Sequence, residues 1–289
     1  MSPDLLSVII RSAGFVLLFQ AAGAALFIAL FTSRLAASVG IIRRLAIGSA
    51  WAGVVLAGVH LWLDAARMSG EFAGMLDPSM LRLALNSSSA AAQTMQMAGL
   101  LVIAAGSVNA RYGKVFGVLG ALLAVSGFIL TGHTSVHPWR VVLAPLLVLH
   151  LLIVAFWFGS LLPLWIVSRG EPIALAATVL DKFSRLATWL VPLIALAGLI
   201  MAGIIARGVP PLAEPYGALL LTKLVAFAAL MGFAALNKWR LVPAMEVAPA
   251  QSLPALRRSM LAEFCLIIGV LAVTATMTTF FSPEAQAMQ

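Results

Sequence analysis

Four histidines, His60, His133, His137 and His150, are the residues whose type and spacing can do chemistry in this chain. Imidazole is the commonest protein ligand for transition metals and the side chain that titrates nearest neutrality. His133 and His137 stand four residues apart in Thr131-Gly-His-Thr-Ser-Val-His137-Pro-Trp139. The proline after His137 disfavours helical backbone there, which predicts a connecting loop. His60 and Asp64 share the same spacing, so a helix would put both on one face. Asp64 then either orients the imidazole or marks the water boundary. Methionines accompany the histidines: Met68, Met75 and Met80 follow His60, Met95 and Met97 come next, and Met277 lies near the end. Thioether and imidazole together suit copper, above all Cu(I), better than a hard cation such as Mg²⁺. Each residue also has a plainer use, histidine at a helix end or packed between helices and methionine as filler. The candidate metal ligands are His133, His150, His60 and His137, with Met68, Met95 and Met97.

The elements that must hold these residues follow from composition. The chain has 289 residues, 62% hydrophobic and 10% charged, with mean hydropathy +1.07. Soluble domains carry about 25% charged residues, so most of this surface must face lipid. Apolar runs fall near 5–32, 41–63, 90–110, 114–132, 141–167, 183–206, 216–237 and 259–281. Their length predicts helices of about 20 residues each, because open strands cannot cross lipid with unpaired backbone groups. The expected fold is all-α, a polytopic bundle of about eight transmembrane helices forming one transmembrane domain over 1–289. The first apolar run is longer than a signal h-region and reads as a retained span. Met80–Leu85 predicts a short interfacial helix, and the stretch from Pro243 to Pro254 a polar hinge.

Lys and Arg set the orientation. Twelve lie in alternate loops: Arg34, Arg43 and Arg44; Arg111 and Lys114; Arg169, Lys182 and Arg185; Lys238, Arg240, Arg257 and Arg258. Arg11, Arg67, Arg82, Arg140 and Arg207 lie on the other side. The positive-inside rule sends the twelve to the cytoplasm and both termini to the periplasm. The net charge of +8 is then a membrane feature meeting anionic lipid, and nucleic acid is not an expected partner. All four histidines fall on the outer half. His150 is the deepest, about nine residues or roughly 13 Å from the outer end of its helix.

Other chemistries are poorly served. The single Cys265 excludes a disulfide framework and a Cys-x-x-Cys metal pair. No Gly-x-x-x-x-Gly-Lys-Ser/Thr loop is present to bind a nucleotide. No nucleophile, base and orienter stand together, so an enzyme is not expected. Within the spans, Lys223 can snorkel outward, and Glu263 is expected to pair with Arg257 or Arg258.

From Thr131-Gly-His133 onward an ordered set of motifs accumulates. His150-Leu-Leu-Ile-Val-Ala-Phe-Trp157-Phe-Gly159-Ser-Leu-Leu-Pro163 is followed by Phe183-Ser-Arg185-Leu-Ala and Leu221-Thr-Lys223-Leu. Ala235-Leu-Asn237-Lys-Trp-Arg240-Leu and Arg258-Ser-Met-Leu-Ala-Glu263 come last. Over about half the chain this set resembles the CopD copper-resistance membrane proteins of bacteria. The resemblance implies an eight-helix inner-membrane protein of copper homeostasis that passes copper from periplasm toward cytoplasm. It also implies a separate periplasmic copper carrier resembling CopC as partner. The alternative is a b-type haem-binding electron-transfer protein, since intramembrane histidines on different helices can ligate haem iron and His60 and His133 fall at similar depth.

Overall fold

The computed structural model describes residues 2–108, 112–205 and 215–281, with the side chains of all but His133, Glu246 and Ala250. Arg111 and Arg207, used above for orientation, lie outside the described residues. The chain folds as α1 (Pro3–Phe31), α2 (Val39–Ser69), α3 (Pro78–Leu85), α4 (Ser88–Val108), α5 (Gly113–Ser126), α6 (His133–Val136), α7 (Arg140–Gly170), α8 (Ile173–Ile205), α9 (Pro215–Leu236), α10 (Val242–Val247) and α11 (Pro249–Phe280). A π turn, Asn237–Leu241, joins α9 to α10. No strand occurs among the described residues. Among the described residues, eight helical segments are long and apolar enough to cross a bilayer. The protein is an all-α, multi-pass membrane protein.

Helix starts follow local chemistry. Ser2 caps α1, accepting from the Leu5 N–H at 3.3 Å, with Pro3 in the first turn. Asp77 caps α3 by accepting from the N–H and hydroxyl of Ser79 at 2.8 and 2.7 Å. The Ser79 hydroxyl in particular holds this exposed carboxyl below its ordinary pKa. α3 is the short helix foreseen at Met80–Leu85.

Two boundaries differ from the apolar runs. α8 begins ten residues before 183, because Asp181, Lys182 and Arg185 interrupt the apolar run without interrupting the helix. The expected hinge at Pro243–Pro254 is itself mostly helical. It narrows to a bend at Ala248 (φ −138°, ψ 64°), since Pro249 occupies the first turn of α11, where no backbone donor is needed.

α1 is the axle of the bundle. Of its apolar stretch 61% is buried, against 6% for the span that starts at Pro215. It packs on α2, α5, α7 and α11, and one hydrophobic core runs from Leu18 in α1 to Leu271 in α11. Lipid offers no hydrophobic drive between helices, so close backbone approach must supply the contact. A β-carbon on Gly23 would fall 1.9 Å from the Ala155 carbonyl oxygen, and one on Gly159 2.5 Å from that of Phe19. At this seam Gln20 donates from Nε2 to the Gly159 carbonyl at 3.0 Å, and the adjacent Phe158 stacks on Phe264 of α11 at 4.8 Å.

A buried carboxylate organises the opposite end of α2. Glu171 Oε1 accepts the N–H groups of Ala36, Ala37 and Ser38 at 3.2, 2.9 and 2.8 Å. These donors precede the helix start, where the macrodipole favours a negative charge. Glu171→Ala is expected to cost about 1–3 kcal/mol, the usual cost of stranding buried donors. Thermal unfolding in detergent checks this, and an unchanged midpoint would mean that water replaces the carboxylate.

Candidate functional site

The end of α2 carries a polar cluster that joins three helices. His60 is 5% exposed. Its Nε2 lies 3.2 Å from Ser7 Oγ on α1, and the Gln93 amide on α4 donates to its Nδ1. Asp64, one turn on, brings Oδ2 within 3.8 Å of Nδ1. The Asp64 carboxylate accepts from Ser89 Oγ at 2.6 Å and from Arg67 at 3.3 Å. Arg67 also donates to Asp4 at 2.9 Å. The shared face of His60 and Asp64 was legible from their spacing. Their partners were not: Ser7, Gln93 and Ser89 are small polar residues in apolar surroundings. Gln93, an amide among alanines, was the one available signal.

The candidate methionines do not gather around His60. Met97 lies one turn beyond Gln93 on the same face of α4. Met95 turns away and lines a groove of about 650 Å³ with Leu61, Ala91, Ala98 and Leu123. Met68 is half-buried at the end of α2, two turns past His60.

His150 stands in α7 against α8, half-buried. Its Nδ1 lies 3.0 Å from the Ile194 carbonyl oxygen. A carbonyl only accepts, so Nδ1 carries the proton and Nε2 presents a lone pair. That is the tautomer a metal-ligating histidine needs, held by a hydrogen bond on its other nitrogen. Gly198 of α8 lies beside the ring, where a β-carbon would come into ordinary contact, 3.6 Å from His150 Cε1.

His137 takes a local role. Its Nδ1 accepts from the Trp139 N–H at 3.1 Å, at the turn into α7. The backbone at His133 opens α6 after Gly132, whose φ of +77° and ψ of −171° only glycine adopts readily; the His133 side chain lies outside the described set. Among the described residues no three His, Cys, Asp or Glu side chains come together around a common point. Haem ligation finds no support there either: the groove beside Met95 is lined by no histidine.

The expected ion pair of Glu263 does not form. Arg257 instead donates to the Oγ and carbonyl of Ser168, while Glu263 accepts from the Asn237 amide and has Trp157 within hydrogen-bonding reach.

Two family models match this chain. Copper resistance protein D-like, N-terminal domain, covers residues 1–138, and Copper resistance protein D covers residues 177–277. The first range holds His60, His133 and His137, the second the α8 face against His150 together with Asn237 and Glu263. No curated protein and no solved structure gives a match.

Proposed function

Because this chain belongs to the copper resistance protein D (CopD) family, we propose that it moves copper from the periplasm toward the cytoplasm in copper homeostasis. Copper is the substrate, taken up at the outer face and handed inward by ligand exchange. The observation that carries this assignment is the fixed tautomer of His150, with Nδ1 bound to the Ile194 carbonyl and Nε2 left to donate. Imidazole in that form binds copper without first losing a proton.

The roles divide by depth. His133 and His137, with Met68, Met95 and Met97, form a dispersed collecting surface near the outer ends of the helices, and His60 is a buried ligand beneath it. His60 exchanges Ser7 or Gln93 for the metal, and Asp64 and Arg67 hold the helix ends in place around it. Dispersed ligands suit a carrier, since a closed cage would bind copper without releasing it. The whole chain acts as one unit in the bacterial inner membrane, with both termini periplasmic as the basic loops require. A soluble periplasmic copper protein resembling CopC delivers the metal.

Copper uptake by proteoliposomes tests this, with His150→Ala beside the wild type. The variant should fall to the rate of empty liposomes while its thermal unfolding midpoint stays within a few degrees, because only one hydrogen bond is lost. Equal uptake by both proteins would remove His150 from the path.

A further inference from the structure

A second buried polar group lies where α7, α11 and the π turn meet, and the copper path leaves it unused. Glu263 is 2% exposed. Asn237, the first residue of the π turn, donates its amide to Glu263 Oε1, and Trp157 reaches the same carboxyl. Neither partner brings a positive charge. Of the cations on neighbouring elements, Arg257 is bound to Ser168 and Lys238 to Thr188 Oγ1 at 2.8 Å. Arg240 is exposed, and Arg258, though on α11 itself, makes no ion pair with Glu263. Lys223 stands fourteen residues before Asn237, roughly 21 Å along the helix axis, and Arg11 bonds at Thr278 and Thr279, roughly 22 Å beyond Glu263. α10 contributes no described charged side chain. A carboxyl within a membrane is a functional group by default. With hydrogen bonds but no counter-charge, its protonation follows whether water reaches it.

Oxygens able to receive a water or a proton lie close by in the sequence of the same helices. Asn237 Oδ1, Ser160 Oγ and Ser259 Oγ are buried with no hydrogen-bond partner among the described residues. Ser160 lies one turn after Trp157, and Ser259 one turn before Glu263. α7 and α11 run antiparallel, as the Phe158–Phe264 and Ser168–Arg257 pairs require. Both hydroxyls therefore fall on the same side of the carboxyl, toward the basic loops. These are oxygen groups, hard donors ill suited to Cu(I) and well suited to passing a proton. The π turn offers a second register for Asn237. A π turn holds one residue more than regular helix, so its loss would rotate Asn237 by roughly 100° and take its amide off Glu263.

We propose that Glu263 is an intramembrane proton-binding site, opened and closed by the π turn at Asn237, whose loading and unloading drives copper movement. Proton binding stands on this geometry alone; only the coupling rests on the copper assignment.

Infrared difference spectra of the full chain in lipid nanodiscs, between acidic and alkaline buffer, test the site. The wild type should show the carbonyl stretch of a protonated carboxyl that disappears with rising pH. Glu263→Gln, which keeps the acceptor for Asn237, should lack it, and Asn237→Ala should shift its frequency. A band identical in wild type and Glu263→Gln would overturn the proposal. So would a pH response that requires Na⁺, since the same oxygens would then serve a metal cation. In proteoliposomes enclosing a pH dye, copper entry should change internal pH with the wild type and not with Glu263→Gln. Equal copper entry without a pH change in either would refute coupling. No copper entry with the wild type would remove the copper assignment and leave the infrared result to decide the proton site.

Discussion

Gly159→Leu is expected to yield almost no monodisperse protein, and what survives should have lost more than about 3 kcal/mol of stability. The reason is geometric. The first added carbon would meet the Phe19 carbonyl oxygen at 2.5 Å and the Gly23 α-carbon at 2.6 Å. Both are backbone atoms, so no rotamer change relieves the clash and α1 must leave α7. Parting them also strands the Gln20 amide, which donates to the Gly159 carbonyl, in a medium with no water to replace it. Gly232→Leu is the matched control, because nothing lies within 4 Å of a β-carbon there. It should behave as the wild type in yield and in thermal unfolding. Normal yield and midpoint for Gly159→Leu would show that the α1–α7 seam is not what holds the bundle.

Asp64→Ala should cost about 3–5 kcal/mol, the range for removing one partner of a buried ion pair. Asp64 is 3% exposed and serves Arg67, Ser89 and the His60 side of the cluster together. Without it Arg67 retains Asp4 alone, and of the polar ties between α2 and α4 the Ser89 bond is lost while Gln93 to His60 remains. Asp64→Asn keeps an acceptor for Ser89 and should fall between. Combining Asp64→Ala with Arg67→Ala should cost less than the sum of the single changes, as coupled groups do. Denaturation curves of the four variants beside the wild type decide this. A loss below about 0.5 kcal/mol for Asp64→Ala would place the pair in the class of surface ion pairs that water screens.

The spans were legible because lipid imposes a simple demand: about 20 apolar residues, all helical. The helix ends were less legible. The charged residues Asp181, Lys182 and Arg185 look like a break in an apolar run, yet they lie two to three turns into α8 without interrupting it; Pro249 looks like another, yet the first turn of α11 tolerates it. Of the candidate site, the His60–Asp64 face could be read from a spacing of four. The bond from His150 to Ile194 could not, because it joins residues 44 apart through a backbone carbonyl, a group every residue carries. Glu263 misled for a similar reason. Its neighbours in sequence are arginines, but its neighbours in space are an asparagine and a tryptophan on two other helices.

The position of α1 at the centre sets a timetable for synthesis. Gln20 enters the membrane with the first helix, whereas its partner Gly159 lies 139 residues later. At elongation rates of about 5–20 residues per second, that interval lasts about 7–28 s. Throughout it the small-residue face of α1 and its amide are open to other nascent helices and to quality-control proteases. The axle of the finished bundle is thus the part most exposed while the chain is being made.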